Sequence, residues 1–392
     1  MKHPTINVRR PLQQWNQAMR RGMATIGFLG GSITDARPRH NWPEYVMEWL
    51  SGHYPTVRFR VENAAIGATG SDLAVLRVQR DIIGRRCDAV FVEYAVNDEQ
   101  ASSIRRQRTR EGLIRQLRKA GVNDIIFVYT FSESMKEDME RGQYPATIAE
   151  LERLAQYYQI SSIWLGKYGL EQVASGRLSM EQWLPDGLHP KEQGSRIYAE
   201  CVIACLQREL LQPEQLLLAA EAADDHALRQ AEAATPTEAP AALPATTQAE
   251  LPEPLDPLCW ERVGELPLSQ LATTGEWLEL RWHGCEWVEL MLETKQLGAG
   301  LSFVFEGRGL MLVFDYGARS AEFFYRIDEG EWQYSDRDLP DWVGESGWLR
   351  LFDCGDELAQ GRHTFELVVA EPQRELDGEQ LFFRLGKVGV IQ

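Results

Sequence analysis

The sequence predicts two domains: an N-terminal three-layer α/β/α sandwich around a parallel sheet, and a C-terminal all-β sandwich of the jelly-roll type. Its 392 residues are too many for one ordinary domain, which usually has roughly 100–200 residues. The first half alternates short apolar runs with longer amphipathic stretches, as a parallel sheet covered by helices does. The last part alternates apolar and polar residues with period two, which is typical of antiparallel strands.

A segment rich in Ala, Pro and Glu separates these two patterns and has too few large apolar side chains to pack. We therefore assign residues 1–211 to the α/β domain, 212–250 to a linker and 251–392 to the β-sandwich. The beginning of the linker, about 212–232, is dominated by Ala, Leu and Glu, which favours a helix there.

Strands in the first domain are predicted at residues 24–29, 57–61, 88–94, 124–129 and 159–163. Helices are predicted at residues 42–51, 71–84, 102–120, 145–157 and 191–211. In a sheet of this kind, ligands bind beyond the carboxyl ends of the strands. The residues that follow each strand are therefore the first candidates for a functional site.

Charge and composition exclude several classes of protein. A net charge of −17 makes nucleic acid an unexpected partner, because phosphates carry the same sign. A run of Arg and Lys at 105–119 is interpreted as the solvated face of a helix. No apolar stretch approaches the about 18 residues of a membrane span, so we expect no integral membrane contact.

The cysteines and the N-terminus bear on the compartment. The six cysteines are scattered, without a CxxC pair or a histidine at metal-ligand spacing, so no structural zinc is expected. The N-terminus has basic residues but lacks the apolar core of a secretory signal. Reduced thiols and the missing signal make the cytoplasm the expected location.

The first predicted strand leads into a glycine pair followed by a serine, Gly30-Gly31-Ser32. Glycines permit a sharp turn, so the Ser32 hydroxyl can project into a cleft while its backbone N–H faces a substrate carbonyl oxygen. A simple Gly-Ser turn explains this motif alone equally well.

Far downstream, Asp186 and His189 lie three residues apart between two prolines. In a turn, the carboxylate can accept a hydrogen bond from the imidazole ring, which sets the tautomer and stabilises the imidazolium. A helix start capped by Asp186 is the alternative, and it is favoured when this segment is considered alone.

Two further strand ends carry possible hydrogen-bond donors. Asn97 follows the third strand and can donate its amide to an oxyanion, or it can cap a turn. Gly67 follows the second strand and can offer an unobstructed backbone N–H. Gly70, three residues later, is the alternative to Gly67, and an ordinary turn explains either glycine.

Serine, glycine, asparagine and Asp-x-x-His thus occur in this order at predicted strand ends. The combination resembles the SGNH hydrolase family, also called GDSL-like esterases, over about residues 24–205. The resemblance implies an α/β sandwich that hydrolyses esters without a metal or an organic cofactor.

Carried over by position, the resemblance makes Ser32 the nucleophile and Asp186 with His189 the pair that activates it. The Ser32 and Gly67 backbone N–H groups and the Asn97 amide would form the oxyanion hole. Residues 1–211 would then be the catalytic domain.

The chain departs from the common family pattern at two positions. Gly31 replaces the aspartate of Gly-Asp-Ser, and Ala95 takes the glycine position of Gly-x-Asn-Asp. Neither replaced group is required for acyl transfer. The distance from Asn63 to Gly67 is one residue shorter than usual, which keeps Gly70 open as the donor.

The C-terminal part resembles, in strand pattern and short fragments, the jelly-roll modules of some carbohydrate esterases. Together the two resemblances imply a serine esterase that removes short acyl groups, acetyl first among them, from a small-molecule or oligosaccharide ester. The alternatives are a carbohydrate O-acyltransferase and a non-catalytic carbohydrate-binding or assembly protein. The β-sandwich could equally bind sugar, shape the cleft or form a homo-oligomer.

Overall fold

The structure is a computed structural model that describes residues 4–35, 40–216, 218, 251–282, 284–285, 287–374 and 380–392. The chain divides into two compact units, Met1–Cys259 and Trp260–Gln392. Most of the predicted linker at 212–250, and of the helix predicted at its beginning, lies outside the described residues.

The strands of the first unit are β1 Ile6–Asn7, β2 Met23–Gly30, β3 Arg58–Asn63, β4 Ala89–Glu93, β5 Asp124–Tyr129 and β6 Ser161–Trp164. Its helices are α1 Gln13–Arg20, α2 Trp42–His53, α3 Ser71–Val78, α4 Ser103–Lys119, α5 Lys136–Glu140, α6 Ala146–Tyr157, α7 Leu165–Ala174, α8 Met180–Trp183 and α9 Glu192–Glu209. In the part of the chain that the structure describes, none of the helices is both long enough and apolar enough to cross a membrane.

The six strands form one sheet in the order β1-β6-β5-β4-β2-β3. β2 to β6 run parallel, and only the short edge strand β1 is antiparallel to its neighbour β6. The predicted α/β sandwich is therefore confirmed, with an antiparallel edge strand added. The strand order reverses beside β2, and this is where a crevice for ligands opens in such sheets.

Burial explains why these runs became strands. Every residue of β4 and β5 is buried, as expected for central strands covered on both faces. β3 is a partly exposed edge strand and carries polar side chains. The Phe28 and Phe91 rings stack at 5.2 Å across β2 and β4, and Trp42 from α2 packs edge-on against both.

The arginine run of α4 is buried and paired, so its interpretation as a solvated face was wrong. Arg110 forms an ion pair with Asp98 at 2.7 Å, and both side chains are at most 4 % exposed. Arg106 pairs with Glu150 at 2.6 Å. These acidic partners lie outside the helix, 12 and 44 residues from their arginines, so the charge pattern within the helix could not reveal them.

Helix α4 also contacts residues 252–256, which we assigned to the β-sandwich from the sequence. The backbone N–H groups of Leu255 and Asp256 donate to Glu111 at 2.6 and 2.9 Å, and Arg115 donates to the Pro252 carbonyl at 2.6 Å. Residues 251–259 consequently lie in the first compact unit, and the second unit begins at Trp260.

The strands of the second unit are β7 Val263–Leu266, β8 Ala272–Thr274, β9 Leu278–Leu280, β10 Met291–Thr294, β11 Gly300–Gly307, β12 Gly309–Asp315, β13 Glu322–Ile327, β14 Gln333–Tyr334, β15 Leu349–Gly355, β16 Gly361–Ala370 and β17 Phe383–Ile391. One sheet has the order β15-β12-β17-β10-β9, with β7 also paired to β17. The other has the order β14-β13-β16-β11-β8. All of these pairs are antiparallel, which confirms the all-β prediction.

The core of the second unit is aromatic. Phe314 of one sheet packs against Phe323 of the other at 5.3 Å, so the two sheets form a sandwich. Alternate residues of β16 are buried, which is the period-two pattern seen in the sequence. Among the tryptophans, Trp260 and Trp282 are buried, whereas Trp332 and Trp342 are 43 % and 63 % exposed.

The Asp98–Arg110 pair gives the first prediction. We expect Arg110→Met to lower the free energy of unfolding by about 3–5 kcal/mol, because it leaves the Asp98 charge buried without its partner. Arg141→Met is the control, since Arg141 is 62 % exposed in its ion pair and should cost less than about 0.5 kcal/mol. Urea unfolding measures both changes, and equal small losses would contradict the prediction.

Candidate active site

Ser32 lies in a tight turn directly after β2. The backbone N–H groups of Thr34 and Asp35 both donate to the Gly31 carbonyl, at 3.1 and 2.9 Å, so residues 31–35 form one helical turn. The Asn41 amide donates to the Ser32 carbonyl at 3.1 Å. The backbone N–H of Ser32 donates to no other described residue, which leaves it available to a ligand.

Asp186 and His189 lie in a turn between α8 and α9. The turn needs a positive φ of 78° at Gly187, a conformation that glycine adopts readily. Asp186 Oδ1 accepts the backbone N–H groups of Leu188 and His189 at 3.0 and 2.7 Å. The Gly187 carbonyl accepts the Glu133 N–H at 3.1 Å, which ties this turn to the segment after β5.

The three side chains form a continuous line of hydrogen bonds. Ser32 Oγ lies 2.7 Å from His189 Nε2, and His189 Nδ1 lies 2.8 Å from Asp186 Oδ2. A carboxylate can only accept, so Nδ1 carries the proton and Nε2 is left to accept the Ser32 hydroxyl. His189 and Asp186 are 46 % and 54 % exposed, so water reaches this line.

The ionisation of Asp186 suits this arrangement. Partial burial opposes its charge, but hydrogen bonds from the His189 backbone, the His189 ring and the Leu188 backbone outweigh burial and hold the pKa of Asp186 below its ordinary value. Asp186 is therefore ionised at neutral pH, and a carboxylate in this position can stabilise an imidazolium on His189.

Asn97 lies against the backbone of the turn at residues 31–35 that contains Ser32. A Cβ atom on Gly31 would collide with the Asn97 amide group, so only glycine lets this side chain come so close. The Asn97 side chain is half-buried and hydrogen-bonds to no other described residue. Its amide is thus free to donate to a ligand beside Ser32, and Gly31 gains a physical reason for departing from the family's aspartate.

Of the two candidate glycines, Gly67 is the one beside the serine. A Cβ on Gly67 would lie 3.5 Å from Ser32 Cβ, whereas a Cβ on Gly70 would lie 2.6 Å from Asp98 Oδ1 at the start of α3. The Gly67 N–H donates to Asp35 Oδ2 at 3.2 Å. A substrate oxygen at this position would have to compete with that carboxylate for the N–H.

Sequence reasoning missed the residues that hold the turn around Ser32 from behind. Asn63 donates to the Thr34 carbonyl at 2.9 Å, and the Thr34 hydroxyl donates to Glu93 at 3.1 Å. Thr34 and Asp35 follow Ser32 within one helical turn, so the sequence could have indicated that both lie near the serine. The position of Glu93 opposite Gly30 depends on strand register and left no such signal.

A serine hydroxyl, an imidazole and a carboxylate in line, with free N–H donors beside the serine, can perform acyl transfer. The residues that the structure describes contain no group of three or more His, Cys, Asp or Glu side chains that could hold a metal ion. The fold and this site define the class of protein as a carboxylic ester hydrolase.

Residues 28–197 match the model of the GDSL-like Lipase/Acylhydrolase family. The match contains Ser32, Gly67, Asn97, Asp186 and His189. No curated protein matches the chain significantly.

The solved structures include two-domain neighbours that match nearly the whole of this chain. A two-domain esterase (CEX) active on acetylated mannans, co-crystallised with mannopentaose, has 18 % identity and a TM-score of 0.76, with 98 % of this chain and 96 % of that chain covered. A second structure of a two-domain esterase (CEX) active on acetylated mannans has 18 % identity and a TM-score of 0.73, with 98 % of this chain and 97 % of that chain covered. At these identities the likeness shows the two-domain fold.

A variant of Axe2, an acetyl xylan esterase from Geobacillus stearothermophilus, has 20 % identity and a TM-score of 0.41. The match covers 48 % of this chain and 97 % of the Axe2 chain.

The contact between Gly31 and Asn97 gives a prediction. We expect Gly31→Ala to displace the Asn97 amide and to lower kcat by about 10²–10³-fold, the usual effect of losing one oxyanion donor. Asn97→Ala should give a similar loss, and the two changes combined should cost little more than either alone. Steady-state kinetics with an activated ester and a thermal melt measure this, and a fully active Gly31→Ala variant would contradict it.

Proposed function

We propose that the protein is a serine esterase that removes short acyl groups, acetyl first among them, from a carbohydrate through an acyl-enzyme on Ser32. The single observation that carries the proposal is the line of hydrogen bonds from Ser32 through His189 to Asp186, at 2.7 and 2.8 Å. The Ser32–His189 bond has the length that proton transfer requires, and the His189–Asp186 bond holds the ring in the orientation for it.

In the first step, His189 Nε2 takes the proton of the Ser32 hydroxyl while Oγ attacks the ester carbonyl. Asp186 orients the ring and stabilises the imidazolium, which its lowered pKa supports. The imidazolium then protonates the leaving sugar oxygen as the C–O bond breaks. The acyl group remains on Ser32 Oγ.

The negative charge on the carbonyl oxygen needs donors, and three are near Ser32. They are the Ser32 N–H, the Gly67 N–H once Asp35 yields it, and the Asn97 amide. One preorganised donor of this kind contributes about 2.7–4 kcal/mol to the barrier reduction. Three donors would therefore account for a large share of the acceleration.

In the second step, water attacks the acyl carbonyl carbon while His189 Nε2 takes a proton from it. The bond between Ser32 Oγ and the acyl group then breaks, the imidazolium returns the proton to Oγ, and the free acid leaves. The exposure of His189 and Asp186, about half of each side chain, supports water rather than a bound acceptor as the nucleophile. Hydrolysis is therefore favoured over transfer of the acyl group to a second sugar.

The substrate class is proposed from the neighbours. The two-domain structures that share the fold along nearly the whole chain are described as esterases active on acetylated mannans, and one contains mannopentaose. We accordingly propose an acetylated oligosaccharide as the substrate of this chain.

The test compares wild type, Ser32→Ala and Ser175→Ala on p-nitrophenyl acetate and octanoate and on acetylated mannooligosaccharides. Loss of the nucleophile should lower kcat by roughly four to six orders of magnitude. Ser175 is an exposed serine on the surface, and its variant should keep wild-type activity. Acetate should be cleaved faster than octanoate.

Three results would count against the proposal. Equal rates for Ser32→Ala and wild type would remove Ser32 as the nucleophile. Ester formation on an added sugar would indicate an acyltransferase. A folded protein that binds oligosaccharide but is not labelled at Ser32 by a fluorophosphonate would indicate a binding protein.

A further inference from the structure

Glu93 is a carboxylate in the interior of the first unit. It is the last residue of β4 and pairs in register with Gly30, the last residue of β2. The side chain is completely buried, at 0 % exposure. It therefore lies at the edge of the sheet beneath residues 31–35, the turn that carries Ser32 and that we call the nucleophile turn.

The carboxylate accepts three hydrogen bonds. Oε1 accepts the Thr130 hydroxyl at 2.7 Å, and Oε2 accepts the Thr34 hydroxyl at 3.1 Å and the Gly31 N–H at 3.4 Å. Gly31 precedes Ser32 and Thr34 follows it by two residues. Glu93 thus holds the turn on both sides of the nucleophile, and Thr130 holds Glu93 from the end of β5.

No cationic side chain in the described ranges forms an ion pair with Glu93. A buried carboxylate without a cation is costly, because hydrogen bonds alone replace its hydration. Burial raises the pKa of Glu93 to about 7, although the bonds from Thr130, Gly31 and Thr34 act in the opposite direction. A costly charge of this kind beside a reactive group points to a functional role.

The three donors suit the ionised form of Glu93. A carboxylate is an acceptor only, so it can accept all three bonds at once. A protonated carboxyl group must donate its own O–H, and the Gly31 N–H cannot become an acceptor in exchange. Protonation therefore weakens the contact between Glu93 and the nucleophile turn.

We propose that Glu93 is a positioning residue for the nucleophile: its ionised carboxylate fixes the turn from Gly31 to Thr34 so that Ser32 Oγ stays in line with His189. The inference rests on the proposed function of Ser32. It adds a residue that touches neither substrate nor the reacting atoms.

Few titratable groups face Glu93 from the elements around it. Asp98, in the turn after β4, raises its pKa but is itself paired with Arg110. Burial raises the pKa values of Tyr94 and Tyr198, so both stay neutral through the range of interest. Glu93 is thus the group in this cluster whose charge changes near neutral pH.

Protonation of Glu93 then opposes activity on the acid side, because Glu93 must be ionised to hold the turn. The plot of log(kcat/KM) against pH should therefore fall more steeply at low pH than it would without Glu93, since each further ionising group adds about 1 to the limiting slope.

The experiment measures kcat and KM for p-nitrophenyl acetate between about pH 5 and pH 9. We expect Glu93→Gln to reduce the acid-side slope by about 1 and to lower kcat at high pH by about tenfold or less, with KM unchanged. Asp124→Asn is the matched control. Asp124 is also a buried carboxylate, with a pKa raised to about 6 by burial, but it begins β5 and binds Trp15 N–H away from the nucleophile turn.

A second variant tests the same idea without touching Glu93. Thr130→Val removes the 2.7 Å bond that favours the ionised carboxylate. It should raise the pKa of Glu93 further and move the acid limb to higher pH. This variant tests the inference even if Glu93→Gln does not fold. If the acid limb of its pH profile stays where it is in the wild type, the inference is overturned.

The outcomes separate this inference from the proposed function. Equal loss of activity at every pH in Glu93→Gln, with the wild-type slope kept, would overturn the positioning role and leave the Ser32 esterase intact. A slope reduced equally in Asp124→Asn would also overturn it. A wild type whose activity does not depend on Ser32 would overturn both.

Discussion

The hydrogen bond between Ser32 Oγ and His189 Nε2 joins residues 157 positions apart in the chain, and its 2.7 Å length depends on elements from the whole first unit. Ser32 follows the end of β2 at the edge of the sheet. Hydrogen bonds to the Gly31 carbonyl and from the Asn41 amide shape the turn there. His189, the other partner of the bond, lies in the turn between α8 and α9. The Glu133 N–H ties this turn to the segment after β5. A small shift in either turn would break this line of hydrogen bonds, because hydrogen bonds weaken steeply with distance and angle.

The central strands and the order of the site residues could be predicted from sequence because both are local patterns. The apolar run at 124–129 became β5 with the predicted bounds, and the serine, glycine and asparagine follow strands that share one edge. Other features depend on partners distant in sequence. The edge strand β1 has only two residues, and it exists because Ile6 and Asn7 pair with β6. The buried state of Arg110 depends on Asp98 and Thr147.

The difference between Gly67 and Gly70 shows the same limit at the site itself. Both glycines follow β3, and spacing alone favoured neither. Only the packing of Gly67 against Ser32 and of Gly70 against Asp98 separates them. The contact of Asp35 with the Gly67 N–H was also invisible, since it needs the turn after β2 and the loop after β3 to meet. Sequence therefore indicates which residue types can act, and packing decides which of them touch.

Glu93 brings the stability of the unit and the proposed function into opposition. Burial raises the pKa of Glu93 to about 7, above the value of 4.5 that an exposed glutamate has. The folded state therefore binds this proton more tightly than the unfolded state, and the contribution of Glu93 to stability falls as pH rises from about 4.5 to about 7. The ionised form, which suits the nucleophile turn, is the one that destabilises the fold. A glutamine would remove that cost, so the presence of a carboxylate at this position is best explained by what its charge does for the turn around Ser32.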